Sequence, residues 1–189
     1  METKNIMIVG VGGQGTLLAS KILGHVLLSQ NFDVKDSEVH GMSQRGGSVV
    51  TYVRYGEKVY SPVIDKGEAD AIVAFEKLEA MRYAHFLKKD GVIIANDQRI
   101  DPITVVTGQA EYPEHILETL SEKHKVISID AMAEAKKLGN PKVFNTIIIG
   151  VAAKHMDFDH DKWVEVIKAT VPPKTVEMNL KAFEVGYAL

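Results

Sequence analysis

The apolar run Ile6-Met7-Ile8-Val9 breaks directly into Gly10-Val11-Gly12-Gly13-Gln14-Gly15, and a long apolar segment from Leu17 to Leu28 follows. Strand, tight turn and helix in that order are what this stretch can form. The glycines permit positive φ and let another group approach the bare backbone. Unpaired N–H groups and the positive end of the helix dipole then favour a negative charge at the turn. A phosphate loop of the Walker A type needs Lys after the last glycine, and Thr16 stands there. Two readings stay open. In one, the turn is a dinucleotide fingerprint, with Asp36 or Glu38 near the place of a ribose-binding acid. In the other, the glycines only let the first helix pack closely on its sheet.

A second glycine-dense stretch, Glu38-Val39-His40-Gly41-Met42-Ser43-Gln44-Arg45-Gly46-Gly47, follows the next predicted strand. It lies at the carboxyl end of that strand, where open α/β sheets place their binding crevices. Arg45 among small residues can present its guanidinium to a carboxylate, a phosphate or a partner's backbone. It can equally tie down an exposed loop through a salt bridge. His155-Met156-Asp157-Phe158-Asp159-His160-Asp161 has metal-ligating residue types. Its spacing reads instead as a helix end, a turn and an Asp159 N-cap for the next helix.

The rest of the pattern alternates strands and helices. Strands are predicted at Asn5–Val9, Val34–Val39, Ala69–Phe75, Gly91–Asn96 and Val126–Asp130, with a weaker one at Thr104–Val106. Ser48–Arg54 and Lys58–Tyr60, flanking Tyr55-Gly56-Glu57, read as a β-hairpin. Helices are predicted over Gln14–Ser29, Glu76–Leu87, Pro113–Lys123, Ala131–Leu138, Phe144–His155, Asp159–Thr170 and Pro173–Gly186. In the last, Val176, Leu180, Phe183 and Tyr187 form one apolar stripe. The expectation is one α/β domain over residues 1–189, Rossmann-like, with three α/β/α layers. Its sheet is mostly parallel with an inserted β-hairpin, and its C-terminus is helical.

Composition narrows the function classes. The chain has no cysteine, which removes disulfides, thiol chemistry and cysteine-ligated iron–sulfur clusters from it. A net charge of −3 gives no electrostatic case for nucleic acid. The strongest apolar run, Ile147 to Ala153, is too short to span a membrane. Met1 to Lys4 leads straight into the first strand, which predicts no signal peptide and a cytoplasmic location.

The two loops together resemble the gamma-type domain of the 2-oxoacid:ferredoxin oxidoreductases, most closely the small (beta) subunits of the indolepyruvate branch. Ile8 to Gly15 and Glu38 to Val49 carry the likeness, with Val59-Tyr60-Ser61-Pro62 and Asn179-Leu180-Lys181-Ala182-Phe183-Glu184 in support. The Glu-Val-His-Gly wording of the second loop is what points to that branch. The resemblance implies a complex that converts an aryl 2-oxoacid and coenzyme A into acyl-coenzyme A, carbon dioxide and reduced ferredoxin. It implies that thiamine diphosphate, Mg and the [4Fe–4S] clusters sit on a large, cysteine-rich alpha subunit, with coenzyme A as co-substrate. This chain also lacks a G-D-G…N-N thiamine-diphosphate signature, so the resemblance assigns it no catalytic residue and no tightly bound cofactor. Gly10, Gly12, Gly13, Gln14 and Gly15 would form a phosphate or interface loop. His40, Ser43, Gln44, Arg45, Gly46 and Gly47 would form a crevice or interface loop. The alternatives are a gamma subunit acting on pyruvate, 2-oxoglutarate or branched-chain 2-oxoacids, a stand-alone Rossmann-like protein binding NAD or a flavin, and a scaffold that binds only protein.

Overall fold

Strand β1 (Lys4–Val11) is buried along nearly its whole length and hydrogen-bonded on both edges. The computed structural model of the chain describes residues 2–41 and 46–189. Alternation along β1 sends Ile6 and Ile8 to one face of the sheet and Met7 and Val9 to the other, and each pair enters a separate apolar core. A strand buried on both faces reads as a continuous apolar run, as this one does.

The sheet has six strands in the order β2-β3-β1-β4-β5-β6. β4 (Ala69–Ala74), β5 (Leu87–Asn96) and β6 (Lys125–Ile129) follow β1 in parallel. β3 (Ser48–Gly56) runs antiparallel to β1 on one side and to β2 (Asp33–His40) on the other. β1, β2, β4 and β5 therefore all end at one edge of the sheet, where β3 begins.

Helices cover both faces. α1 (Thr16–Ser29) packs on the first face, and its buried Ile22, Leu23, Val26 and Leu27 join the core there. α5 (Ala131–Lys137), α6 (Phe144–Lys154), α7 (His160–Thr170) and α8 (Val176–Ala188) complete that layer. α2 (Lys77–Tyr83) and α4 (Ile116–Ser121) cover the second face through Leu78, Ala80, Ile116 and Leu120. A four-residue helix, α3 (Ile103–Val106), lies in the connection between β5 and α4. The three-layer α/β/α arrangement with a mostly parallel sheet is as the sequence predicts. No helix among the described residues is long and apolar enough to cross a membrane.

Three elements differ from the sequence reading. The antiparallel hairpin is made by β2 and β3, not by 48–54 with 58–60. β1 and β2 already occupy both edges of β3, and the Val59 N–H is taken by the Asp33 carboxylate at 2.9 Å. Residues 104–106 form the end of α3 rather than a strand. The amides of Val105 and Val106 bond back to the Pro102 carbonyl, and no strand lies alongside to reward extension. The predicted helix over Glu76–Leu87 ends at Tyr83 and continues as one 3₁₀ turn, Ala84–Phe86. Asp159 does cap α7, its side chain accepting from the Asp161 amide at 3.0 Å.

In α8 the buried residues are Asn179, Ala182, Phe183 and Gly186, and Val176, Leu180 and Tyr187 of the predicted stripe are half-buried against the same core. Gly186 joins the buried face because α6 and α8 approach backbone to backbone. A Cβ on Gly186 would lie 2.0 Å from the Ile147 carbonyl oxygen, and one on Gly150 would lie 2.3 Å from that of Phe183. Gly186→Ala and Gly150→Ala should each lower stability by about 1–3 kcal/mol or more, because backbone cannot yield as a side chain does. Gly24 lies inside α1 with no atom within 4 Å of an added Cβ, so Gly24→Ala should instead stabilise by about 0.4–1 kcal/mol. Denaturant midpoints of the three variants check the opposed signs.

His160 ties α7 to α8, its Nε2 lying 3.0 Å from Glu184 and its ring 4.8 Å from that of Tyr187. Burial disfavours the charged ring, but hydrogen bonds to Asp161 and Glu184 outweigh it and hold the pKa above the ordinary imidazole value. A raised folded-state pKa gives stability that is present below the unfolded value and lost as pH rises through the folded one. The melting temperature should therefore fall modestly between about pH 6 and about pH 8. His160→Gln should remove that part of the slope.

Candidate functional site at the carboxyl edge of the sheet

α1 follows β1 onto the first face of the sheet, while α2 follows β4 onto the second. The gap between the ends of β1 and β4 is thus the topological switch point, where open α/β sheets bind ligands. Here it is filled by Gln14. The buried Gln14 side chain accepts from the Val11 amide at 2.8 Å and donates to the Phe75 carbonyl at 2.9 Å and to Gln98 Oε1 at 3.1 Å. Asn96 extends this network, donating to the Phe75 carbonyl and to Gln98 and accepting from the Ala131 amide. Gln14 is a brace, with its amide fully engaged inside the protein.

The glycines divide the remaining work. A Cβ on Gly10 would meet Gln14, Thr16 and Phe75, each at 3.0 Å, so this position permits close packing. Gly12 donates to the Gly47 carbonyl at 2.8 Å, and Gly46 donates to that of Gly12 at 3.4 Å. These bonds carry the β1–β3 ladder into the two loops and clasp one to the other. Gly15 caps α1 at φ 88°, and a Cβ there would fall 2.4 Å from Asn145 Nδ2. Gly13 has φ 101° with no atom within 4 Å of an added Cβ.

Beside this clasp, on the α1 face, lies a cleft of about 430 Å³. Val49 is its floor. Gly12, Gly13, Gly15, Thr16 and Leu17 form one wall, and Glu38 and His40 at the end of β2 form the other. No side chain caps α1 and no acid occupies its first turn, while its first helical bonds run from Leu18 and Ala19 to the Gly15 carbonyl. The amides of Thr16 and Leu17 therefore stand ahead of the helical ladder, at the positive end of the helix dipole. Glu38 accepts from Thr51 Oγ1 at 3.3 Å, and the exposed His40 ring lies 3.1 Å from the Gly41 carbonyl. The cleft can receive an anionic group at one wall and a hydroxyl or amine at the other.

Of the predicted site residues, Gly10, Gly12, Gly13, Gln14, Gly15, His40, Gly46 and Gly47 come together at this edge. Ser43, Gln44 and Arg45 lie outside the described residues. Asp36 and Glu38 do not take the place of a classical ribose-binding acid, because antiparallel β3 stands between β1 and β2. That strand moves them about 4.8 Å further from the glycine turn than adjacency would allow.

Sequence reasoning missed the supports beneath the site. The root of the second loop is held by Ser48, which donates to Glu79 Oε2 at 2.5 Å. Arg82 donates to the other oxygen of Glu79 at 2.7 Å. Burial pushes the Glu79 carboxyl up, while Ser48 and Arg82 favour its charged form. Glu76, also buried, accepts from Tyr112 Oη, the Ile100 amide and the Glu79 amide. Tyr112 is pushed far above the usual phenol range by burial and then by Glu76, which keeps its proton in that bond. Glu76 and Glu79 at three-residue spacing after a strand were the available signal of an N-cap. Asn145 and Tyr112 come from distant sequence and gave none.

Residues 5–189 match the family described as pyruvate ferredoxin/flavodoxin oxidoreductase. The chain belongs to this family. It is 42% identical over 197 residues to the indolepyruvate oxidoreductase subunit IorB of Thermococcus kodakarensis, covering 98% of this chain and 95% of that one. Identity to the common gamma subunit of the pyruvate/ketoisovalerate oxidoreductases of Pyrococcus abyssi is 30%, over 92% of this chain and 89% of that one. The chain thus stands on the indolepyruvate side of the family, as the small subunit of an oxidoreductase complex. Its fold matches part of the 2-oxoglutarate:ferredoxin oxidoreductase of Magnetococcus marinus, a structure described with 2-oxoglutarate, coenzyme A and succinyl-CoA bound. That match has a TM-score of 0.77 at 17% identity and covers all of this chain and 31% of the other.

Two sets of variants test the geometry. Gln14→Ala should cost about 1–3 kcal/mol, since it strips the buried Val11 amide of its partner and leaves the Phe75 carbonyl to Asn96 alone. Gly13→Ala and Gly15→Ala should each cost about 1–2 kcal/mol for left-handed backbone. Gly15→Ala should cost more than Gly13→Ala because it must also displace Asn145. Thermal midpoints order them, and equal costs at the two glycines would contradict the packing described.

Proposed function

We propose that this chain is the non-cofactor-bearing small subunit of a cytoplasmic indolepyruvate (aryl 2-oxoacid):ferredoxin oxidoreductase. Its complex oxidatively decarboxylates arylpyruvates with coenzyme A to acyl-coenzyme A, carbon dioxide and reduced ferredoxin. The observation that carries this reading is the clasp of Gly12 with Gly46 and Gly47. It joins the two family-specific loops into one wall at the carboxyl edge, beside an open cleft. A glycine-dense, polar wall of this kind suits a face that a partner chain completes.

The residues present do not fit the family's redox and thiamine cofactors. The chain has no thiolate to hold a [4Fe–4S] cluster. Among the described residues, no group of three or more His, Asp or Glu side chains could hold a metal ion. In this reading thiamine diphosphate, Mg and the clusters belong to the large alpha subunit, through which ferredoxin is reduced. Residues of this chain bind, orient and exclude water. The open start of α1 would face a phosphate or carboxylate entering the cleft, with Glu38 and His40 as polar contacts opposite. Coenzyme A and the aryl 2-oxoacid are the substrates for which the wall is proposed, a reading supported by the coenzyme A described in the Magnetococcus marinus relative. The difference between 42% and 30% identity favours indolepyruvate over pyruvate or branched-chain 2-oxoacids.

The test is reconstitution. The chain alone should neither reduce viologen with indolepyruvate nor contain iron or thiamine diphosphate, and adding the large subunit should restore turnover. Turnover by the chain alone would overturn the assignment. Within the complex, Arg45→Ala should leave the isolated chain folded by circular dichroism yet weaken assembly or turnover, by about 2–5 kcal/mol if Arg45 grips an anion in a desolvated crevice. Arg45→Lys should rescue only partly, because Lys lacks the planar, two-pronged geometry.

A further inference from the structure

The connection from β5 to α4 rises from the same edge as the two glycine loops and has no part in the cleft. At its crest α3 turns Val105 inward against the second core. Ile103 and Val106, three residues apart and so on one face of that turn, are 72% and 67% exposed. They are the two most exposed large aliphatic side chains among the described residues, and together they make one small apolar patch.

The loop that displays them is fixed at both feet. Its descending arm is pinned by Tyr112 and its ascending arm by the Ile100 amide, both donating to the buried Glu76 carboxylate. The Arg99 guanidinium lies 4.4 Å from the Tyr112 ring centroid and pairs with Asp101 at 2.6 Å. At the crest, Gln109 and Ala110 both donate to the Thr104 carbonyl. The apolar pair is thus held ready in one geometry, which lowers the ordering cost of docking.

The charge around the pair is acidic, which suits a basic counterpart. Residues 97–118 contain five carboxylates and one arginine. Asp97 and Asp101 are paired with Lys77 and Arg99, and Glu111, Glu114 and Glu118 are exposed around the feet of the loop. The result is an apolar crest on an acidic collar.

We propose that this arch, residues 97–115, is a docking element for the large subunit, and that Ile103 and Val106 enter an apolar recess with a basic rim on that chain. The proposal rests on the functional reading above. The arch rises from the same carboxyl edge as the cleft, so one chain seated over that edge can meet both. A second copy of this chain is a poorer occupant, because its own arch would bring a matching acidic collar.

The test uses the full chain and the large subunit of the same enzyme. Ile103→Asp and Val106→Asp should keep the wild-type melting temperature and raise the Kd for the large subunit at least about tenfold by titration calorimetry. Ile103→Ser and Val106→Ser should raise it less. Glu111→Lys with Glu114→Lys should also weaken binding and flatten its dependence on salt. Leu28→Glu, at an exposed apolar position at the far end of α1, should bind as wild type. Wild-type affinity in the two Asp variants, or an equal loss in the Leu28→Glu control, would overturn the arch as a docking element. So would sedimentation showing that the chain alone dimerises through Ile103. If the wild-type chain itself fails to bind the large subunit, the subunit assignment falls instead.

Discussion

Gln14 occupies the point at which the helices leave the sheet in opposite directions, and much of the carboxyl edge takes its shape from that one amide. Its oxygen holds the end of β1, and its nitrogen reaches the end of β4 and the turn after β5. In a sheet of this class that gap is ordinarily where a ligand sits. Filling it with a buried, satisfied side chain displaces the open volume to the α1 face, between the glycine turn and the edge strand. The cost of burying an amide is met because both ends of it are bonded.

The antiparallel insertion of β3 has a related effect. It widens the sheet between β1 and β2, so the polar residues at the end of β2 face the α1 terminus across Val49 instead of from the neighbouring strand. A dinucleotide fold uses the close spacing of those strands to read pyrophosphate and ribose together. This chain keeps the glycines but not the spacing. What it gains is a second loop bonded to the first through Gly12, Gly46 and Gly47, which turns two local motifs into one surface.

Two buried glutamates stiffen that surface from below. Glu79 anchors the start of β3 just past the second loop, and Glu76 anchors the arch between β5 and α4. Glu76 caps α2 and Glu79 lies in its first turn, so that short helix joins the anchor of β3 to the anchor of the arch. The α6–α8 contact plays a comparable part in the opposite layer, where two glycines let the helices touch backbone to backbone.

The glycine turn was legible in the sequence because its signals are local: an apolar strand, residues able to take positive φ, and a helix start. The same holds for the alternation that gives an α/β sheet, for the Asp159 cap, and for the missing cysteines, which leave this chain no thiolate to ligate a cluster. Tertiary structure alone decided which strand lies beside which. Lys58-Val59-Tyr60 has the alternation of a strand, yet β3 had no free edge to offer it, and Tyr60 is 88% exposed. Residues 104–106 are β-branched, but no strand lies alongside them and Pro102 starts a helical turn instead. The partners that shape the site, Gln14 with Gln98, Gly15 with Asn145 and Glu76 with Tyr112, are separated by tens of residues. Propensity and periodicity act over a few residues, whereas hydrogen bonds between distant segments exist only once the sheet has brought those segments to one edge.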